Sequence, residues 1–352
     1  MSMSNNNQLS LDIVSKHRAQ LYGFAAIWVV LSHGVSFNWI NLYQFGSFGV
    51  LLAKFFNYGN IGVDMFLFLS GISLYFSWHN KQDINRYIKR RLERILIPYL
   101  VIVAPVCVLR FLILEFNPHL FIGNLSTIGF WVEGMRWACW YVPAILMFYV
   151  IYPYIYAYLF SKDKHICTRY FILLVVSYYV WYAFATYNPG YYWTIEIVLG
   201  RMPVFVTGCF FGKYVYEKRQ VSGIWWVVFV ASLVFGFWSS EHLFNNSMYF
   251  RGGYAFVGVG LSYCLAWVVS KISQCKNKLV NSIDKFYVHV GSVSFELYLS
   301  HVMINRMIEY AEDTYSYAIP SWLWIGLMVV AVLYSFWIRD RITIFVRNRL
   351  AK

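Results

Sequence analysis

The amino-acid sequence predicts an all-α, polytopic membrane helix bundle of about ten transmembrane helices with both termini in the cytoplasm. Of its 352 residues, 60% are hydrophobic and only 13% are charged, whereas a soluble chain carries about 25% charged residues. The apolar residues come in long blocks, and about 20 such residues cross the hydrocarbon core. The 15 Trp and 30 Tyr residues are typical of aromatic belts at membrane interfaces. These observations disfavour a soluble, aromatic-rich enzyme.

Ten apolar blocks define the spans, and the short loop Tyr187-Asn188-Pro189-Gly190 separates the fifth from the sixth. The predicted spans lie near 20–40, 60–79, 95–116, 138–160, 170–187, 194–214, 222–239, 252–270, 290–311 and 321–338.

The distribution of Lys and Arg orients these spans, because cytoplasmic loops are rich in both residues. With the N-terminus inside, the outer loops hold only Lys54, Arg136 and Arg251. The cytoplasmic segments hold Lys16, Arg18, Lys81, Arg86, Lys89, Arg90, Arg91, Arg94, Lys162, Lys164, Arg169, Lys213, Lys218, Arg219, Lys271, Lys276, Lys278, Lys285, Arg339, Arg341, Arg347, Arg349 and Lys352. The net charge of +13 is thus a topology signal, and no nucleic-acid partner is expected.

Several function classes have no signal in the sequence. The six cysteines lie far apart without the Cys/His spacing of a metal site, so we predict no metal. The polar N-terminal segment lacks the pattern of a cleaved signal peptide. No long loop provides a soluble domain, and no Walker A, GxSxG or HExxH motif is present. Any chemistry is therefore expected within the bundle or at its two faces.

Ionisable residues inside the spans are the strongest functional signal. Such residues are costly in lipid and normally face a cavity or a partner. The spans contain His33, Asp64, Arg110, Glu115, Glu196, Arg201, Glu296, His301 and Arg306. This long list indicates a polar cavity within the membrane.

His33 and Asp64 are the predicted catalytic residues. His33 lies about 20 Å along the first span at 1.5 Å per residue, and Asp64 enters the second span at a similar outer depth. The two spans form a hairpin, so we expect the carboxylate to orient the imidazole as a general base. The alternative is a structural histidine bonded to the backbone or to a hydroxyl group.

Further charged residues of the spans are expected to shape the electrostatics of the cavity. Glu196 and Arg201 point about 140° apart on a helix, so each needs a partner other than its neighbour. Gly200, Pro203 and Gly208 permit a kink or close packing there. The ninth span contains His301, Glu296 and Arg306. Two roles remain open for these residues: a role in the function, and a structural role in which they pair with residues of other spans.

The cytoplasmic stretch Arg86–Pro98 is the densest run of positive charge. Arg91 and Arg94 are i,i+3 neighbours on one helical face, so their guanidinium groups can converge on a polyphosphate. Arg90 extends the same candidate site. The alternative is that these residues only anchor the topology at the membrane surface.

At these residues the sequence resembles the acyltransferase-3 family of bacterial membrane O-acyltransferases. The resemblance rests on YGFAAIWVVLSHG, GNIGVDMFLFLSGISLYFS with RYIKRRLERILIPY, RMPVFVTGCFFG and SFELYLSHV, in this order. It implies one transmembrane domain over 1–352. It also implies transfer of an acyl group, usually acetyl from acetyl-CoA, to a hydroxyl of an extracytoplasmic glycan or its lipid-linked precursor, at the bacterial inner membrane.

The resemblance also assigns roles to residues. His33 matches the family's span 1 histidine, Arg91 and Arg94 match its Arg-x-x-Arg motif, and Arg201 matches the arginine before the proline of span 6. Many members carry an arginine 10 or 11 residues before the histidine, where this chain has Gly23 and Tyr22. Its nearest arginine is Arg18.

The expected mechanism places the phosphates of acetyl-CoA near Arg90, Arg91 and Arg94. The acyl arm then reaches up the cavity to His33, which activates the acceptor hydroxyl or takes the acyl group itself. Arg201 or His301 stabilises the charge on the thioester oxygen. The chain ends 14 residues after the last predicted span, so we expect direct transfer or hand-off to a partner protein. A transporter or flippase of a lipid-linked sugar, a membrane sensor, and a succinyl donor are the alternatives.

Overall fold

The computed structural model describes residues 8–161, 164–243, 249, 251–275 and 277–350. Lys162, Lys276 and Lys352, which the topology prediction places in the cytoplasm, lie outside the described residues. Within them the chain forms sixteen α-helices and two three-residue strands. The first half comprises β1 (Gln8–Ser10), α1 (Ile13–Lys16), α2 (Arg18–Ser36), α3 (Gly46–Asn57), α4 (Gly62–Trp78), α5 (Ile84–Cys107), α6 (Pro118–Leu125), α7 (Ile128–Glu133), α8 (Tyr141–Phe160) and α9 (Ile166–Tyr187).

The second half comprises α10 (Pro189–Leu199), α11 (Met202–Tyr216), β2 (Gln220–Ser222), α12 (Ile224–His242), α13 (Tyr254–Ile272), α14 (Lys278–Ser292), α15 (Ser294–Tyr315) and α16 (Ser321–Leu350). A π-helical segment, Val108–Leu114, extends α5, and 3₁₀ turns flank α3 at Tyr43–Phe45 and Tyr58–Ile61.

Nine segments of the described chain are long and apolar enough to cross a membrane. They correspond to nine of the ten predicted spans, which confirms a polytopic helical bundle. The remaining predicted span, 290–311, is α15. This helix has 22 residues, enough to cross the hydrocarbon core, but it carries charged residues such as Glu296, Arg306 and Glu309 that lower its hydropathy.

The chain divides into two compact units. Unit 1 contains residues 1–25, 61–87 and 148–291, and unit 2 contains residues 26–60, 88–147 and 292–352. Helices α2, α5, α8 and α14 contribute residues to both.

Unit 1 is built on α4, which packs along α11 and also contacts α13. Most of the 17 residues of α4 are buried, as expected for a helix that is apolar all round. A Cβ at Gly208 would lie 2.2 Å from the carbonyl oxygen of Phe68, and one at Gly71 would lie 2.7 Å from the amide nitrogen of Cys209. The two glycines therefore allow the backbones of α4 and α11 to approach closely, as small residues do between membrane helices.

Unit 1 also contains the β1–β2 pair. The two strands are antiparallel, with Leu9 opposite Val221, and the side chain of Leu9 is buried. Residues 8–10 are thereby tied to the segment that follows α11.

Unit 2 is organised around α15, which packs against α16. Trp324 of α16 is 1% exposed, and its indole Nε1 donates a hydrogen bond of 3.1 Å to Oδ1 of Asn305. A Cβ at Gly34 would lie 2.7 Å from the Trp324 ring. Trp324 therefore packs directly against the turn of α2 that follows His33.

Candidate active site

His33 lies in the last turn of α2, three residues before the helix ends at Ser36. Its side chain is half-buried, and the ring of Phe37 stands edge-on to it at a centroid distance of 6.1 Å. Ser32, the residue before His33, is buried, and its hydroxyl donates to the carbonyl of Asn57. The histidine is thus held on a regular helix whose neighbouring side chains are packed.

The partner of His33 within unit 2 is His301 of α15. Nε2 of His301 lies 3.1 Å from Nδ1 of His33, and the two rings are stacked with centroids 5.1 Å apart. His301 is 1% exposed, and its Nδ1 lies 2.9 Å from the carbonyl oxygen of Leu297. The two imidazoles and this carbonyl form a continuous chain of hydrogen bonds, here called the His33–His301 pair.

The carbonyl at the end of this chain fixes the protonation pattern of two neutral rings. A carbonyl oxygen only accepts, so Nδ1 of His301 carries a proton and donates it to Leu297. Nε2 of His301 is then an acceptor, and Nδ1 of His33 must donate to it. The lone pair of His33 therefore resides on Nε2, the nitrogen that can take a proton from a hydroxyl group.

Arg306 provides the positive charge of this site. Its Nε donates to the carbonyl oxygen of Trp137 at 3.0 Å, and its Nη1 contacts Oε2 of Glu309 at 2.7 Å. The positive charge of Arg306 interacts electrostatically with the His33 imidazole. The Arg306 side chain is 29% exposed, so Arg306 is held by two partners while part of its side chain remains accessible.

Asp64, predicted to orient His33, has a different partner. Within unit 1 its carboxylate faces Nε of Arg201 at 3.6 Å, and the two side chains are 0% and 2% exposed. The predicted contact of His33 with Asp64 would join the two units and stays a prediction; within each unit, the structure pairs His33 with His301 and Asp64 with Arg201. The physical reason is that a fully buried carboxylate needs a counter-charge, which an arginine supplies and a neutral imidazole does not.

Glu196 and Arg201 do not pair with each other, as their spacing predicted. Glu196 forms its ion pair with Arg251, a residue that the sequence places in an outer loop but that is largely buried. The helix breaks between the two residues: α10 ends at Leu199 and α11 begins at Met202, with Pro203 in its first turn. This break turns Arg201 toward Asp64, so Arg201 belongs to a buried ionic cluster, Asp64–Arg201 and Glu196–Arg251.

The predicted phosphate-binding residues lie on α5. Arg90 and Arg94 are exposed and Arg91 is partly exposed. The positive charges of Arg94 and Arg339 both interact electrostatically with the carboxyl group of Glu296, at the start of α15. An anionic ligand can therefore reach several guanidinium groups on this face of unit 2, which is also the unit that contains the His33–His301 pair.

Arg18 stands at the first residue of α2. Its Nη1 donates a hydrogen bond of 3.2 Å to the hydroxyl of Ser73 in α4. At about 1.5 Å per residue, it lies roughly 22 Å along the helix from His33. The structure thus gives Arg18 a contact between two helices of unit 1.

The sequence did not single out Glu309, Trp137, Leu297 or Arg251 as members of these sites. Glu309 and Leu297 lie three and four residues from Arg306 and His301 on α15, so helical spacing is the signal that points to them. Trp137 contributes only a backbone carbonyl, for which a sequence holds no signal.

Comparison with known protein families agrees with the motifs. A family model of an acyltransferase domain, that of acyltransferase-3, matches residues 21–340. The chain belongs to the acyltransferase-3 family. The match includes the His33–His301 pair, Arg306, the buried ionic cluster and the arginines of α5. This chain is therefore a membrane acyltransferase. Searches of curated proteins and of solved structures returned no match to it.

Proposed function

We propose that this acyltransferase moves an acyl group, preferably acetyl, from cytoplasmic acyl-CoA to a hydroxyl group of a cell-surface glycan or its lipid-linked precursor. The bacterial inner membrane is the proposed location. The single observation that carries the proposal is the His33–His301 pair, which leaves a lone pair on Nε2 of His33. Acyl transfer to an alcohol needs a base of this kind to take the hydroxyl proton.

The donor is proposed to bind through its phosphates at Arg90, Arg91 and Arg94. Arginine matches phosphate geometry with paired N–H donors, and two guanidinium groups of this set lie one helical turn apart on α5. An acyl-CoA carries phosphates and a thioester at opposite ends, so binding the phosphates at a cytoplasmic face leaves the thioester free to enter the bundle. His33 and these arginines belong to one compact unit, which supports a shared site.

The proposed reaction is direct transfer. Nε2 of His33 takes the hydroxyl proton as the oxygen attacks the thioester carbonyl carbon. Arg306 stabilises the negative charge that develops on the carbonyl oxygen. The tetrahedral intermediate then expels the CoA thiolate, which takes the proton from Nε2 of His33. One new ester bond replaces one thioester bond, and both histidines return to their starting state.

Arg306 takes the role first expected of Arg201 or His301. Arg201 is buried against Asp64, and His301 directs its two nitrogens to His33 and Leu297. The side chain of Arg306, by contrast, is partly exposed, and its positive charge interacts electrostatically with His33. The ionic cluster of unit 1 is assigned to stability.

The experiment uses purified protein in nanodiscs with acetyl-CoA or succinyl-CoA and follows release of the free CoA thiol. Membrane glycan extracts are then added, and the gain of one acyl mass on a sugar product is measured by mass spectrometry. Thiol release that increases with glycan supports the proposal, and the preferred donor is read from the relative rates. A well-folded protein that binds neither acyl-CoA contradicts it and favours the alternative of a transporter or flippase.

A further inference from the structure

The contacts of His301 indicate a role for this residue within the proposed function, and the inference rests on that function. A histidine that acts as a base normally has its second nitrogen held by a carboxylate or a carbonyl, which sets the tautomer. Among the residues that the structure describes, the second nitrogen of His33 meets neither. It meets another imidazole, whose far nitrogen is held by a backbone carbonyl.

We propose that His301 is the positioning residue that replaces the carboxylate of a histidine–carboxylate pair, holding His33 in the tautomer with its proton on Nδ1. The geometry carries this assignment at three points. Nδ1 of His301 is 2.9 Å from the carbonyl oxygen of Leu297. Its Nε2 is 3.1 Å from Nδ1 of His33. The ring is buried, with Tyr298 packed edge-on at a centroid distance of 5.6 Å.

The position of the carbonyl within α15 explains why His301 cannot reverse its role. Leu297 lies four residues before His301, so its carbonyl is fixed by the helix backbone. A neutral His301 with its proton on Nε2 would direct the lone pair of Nδ1 at this carbonyl oxygen and leave no hydrogen between the two atoms, which is costly in a buried site. The helix therefore sets the tautomer of His301, and His301 sets that of His33.

The chain of hydrogen bonds also decides the path of the proton. When Nε2 of His33 takes a proton, the ring becomes a cation, and its Nδ1–H bond to His301 becomes charge-assisted and stronger. The positive charge is then shared with a second ring. A backbone carbonyl at the end of the chain does not accept the proton, so the proton leaves by Nε2 of His33 to the departing thiolate.

The first test reads the tautomer directly and requires no activity. The protein is labelled with ¹⁵N-histidine and studied in lipid nanodiscs by solid-state NMR, with the signals of His33 and His301 assigned from the spectra of His33→Gln and His301→Gln. We expect a protonated Nδ1 and a non-protonated Nε2 on His33. The opposite tautomer on His33 would overturn the proposal even if the enzyme is active.

The second test compares two substitutions of His301. In His301→Gln the amide oxygen takes the place of Nε2 as an acceptor, so this variant is expected to retain much of kcat. His301→Leu removes the acceptor and is expected to lower kcat about 10- to 100-fold, the usual cost of losing an orienting partner, with KM for acyl-CoA unchanged. His242→Leu is the matched control, since exposed His242 bonds the carbonyl of Trp238 in the same way but faces no second imidazole among the described residues.

The outcomes separate the inference from the function on which it rests. Equal losses of kcat in His301→Gln and His301→Leu, or no loss in His301→Leu, would overturn the positioning role while acyl transfer by the wild type stands. An inactive wild type whose His33 shows the expected tautomer would overturn the proposed function and leave the hydrogen-bond assignment intact. If His301→Leu does not fold, the wild-type NMR spectrum still decides the question.

Discussion

The carboxylate of Asp64 in α4 faces the guanidinium of Arg201 across 3.6 Å, with both side chains fully buried. Removing one member of such a pair leaves an uncompensated charge away from water, which typically costs about 3–5 kcal/mol. We therefore expect Asp64→Asn to lower thermal stability strongly. The double variant Asp64→Asn/Arg201→Gln should lose less than the sum of the single variants, because contacting residues are not additive.

Thermal unfolding of the purified variants in detergent measures this coupling. Lys213→Gln/Glu217→Gln, which removes a more exposed ion pair of α11, is the control and should change stability little. Strict additivity of the Asp64 and Arg201 losses would show that the two groups do not act on each other.

The close crossing of α4 and α11 gives a second prediction. A Cβ at position 208 would lie 2.2 Å from the Phe68 carbonyl oxygen, so Gly208→Ala forces two backbones apart and is expected to cost about 1–3 kcal/mol. Gly190→Ala is the matched control, because a Cβ there meets nothing within 4 Å. Melting temperatures of the two variants are compared with that of the wild type. Equal temperatures for both would contradict the close approach of α4 and α11 at Gly208.

The arginines of α5 give a third prediction. Arg91→Ala/Arg94→Ala is expected to weaken binding of acetyl-CoA by about 100-fold or more, since each charge-assisted hydrogen bond contributes about 1.5–3 kcal/mol. The control is Arg86→Ala/Lys89→Ala, which removes two exposed cations at the same i,i+3 spacing from the same helix. Isothermal titration measures both. Loss of binding in the control alone, or equal loss in both, would assign the arginines of α5 to topology.

A fourth prediction concerns Arg306. Arg306→Lys keeps the positive charge but loses the fork that bonds both Trp137 and Glu309, so kcat is expected to fall, while Arg306→Met also loses the charge and should lower kcat further. Removal of one donor to a developing oxyanion typically costs about 10²–10³ in kcat. Steady-state kinetics with acetyl-CoA give both values. A loss confined to KM would place Arg306 in substrate binding instead of transition-state stabilisation.

Hydropathy and charge in the sequence were sufficient to predict most of the fold. Nine predicted spans coincide with apolar helices, because long apolar blocks have few other structures available in a bilayer. The β1–β2 pair and the short helices α3, α6 and α7 were not predicted. The strands hold three residues each and join segments more than 200 positions apart, so their formation depends on tertiary contacts that no local pattern encodes.

The sequence identified the residues of the candidate site but did not indicate that His33 contacts His301. His33, His301 and Arg306 were all identified because ionisable residues stand out in apolar spans. The hairpin of the first two spans suggested Asp64 as the partner of His33, whereas the sequence did not indicate that α15 supplies His301 as a partner within unit 2. Side-chain packing decides which helices contact each other within the bundle, as Trp324 does against Gly34. A single sequence does not contain that information.

The most direct test of the proposed chemistry is thiol release from acetyl-CoA by purified wild type, His33→Ala and the matched control His242→Ala. We predict that His33→Ala binds acetyl-CoA and melts like the wild type but loses about 10²–10⁴ of kcat, the usual contribution of a general base, while His242→Ala keeps full activity. Turnover by His33→Ala at the wild-type rate would contradict the assignment of His33 as the base.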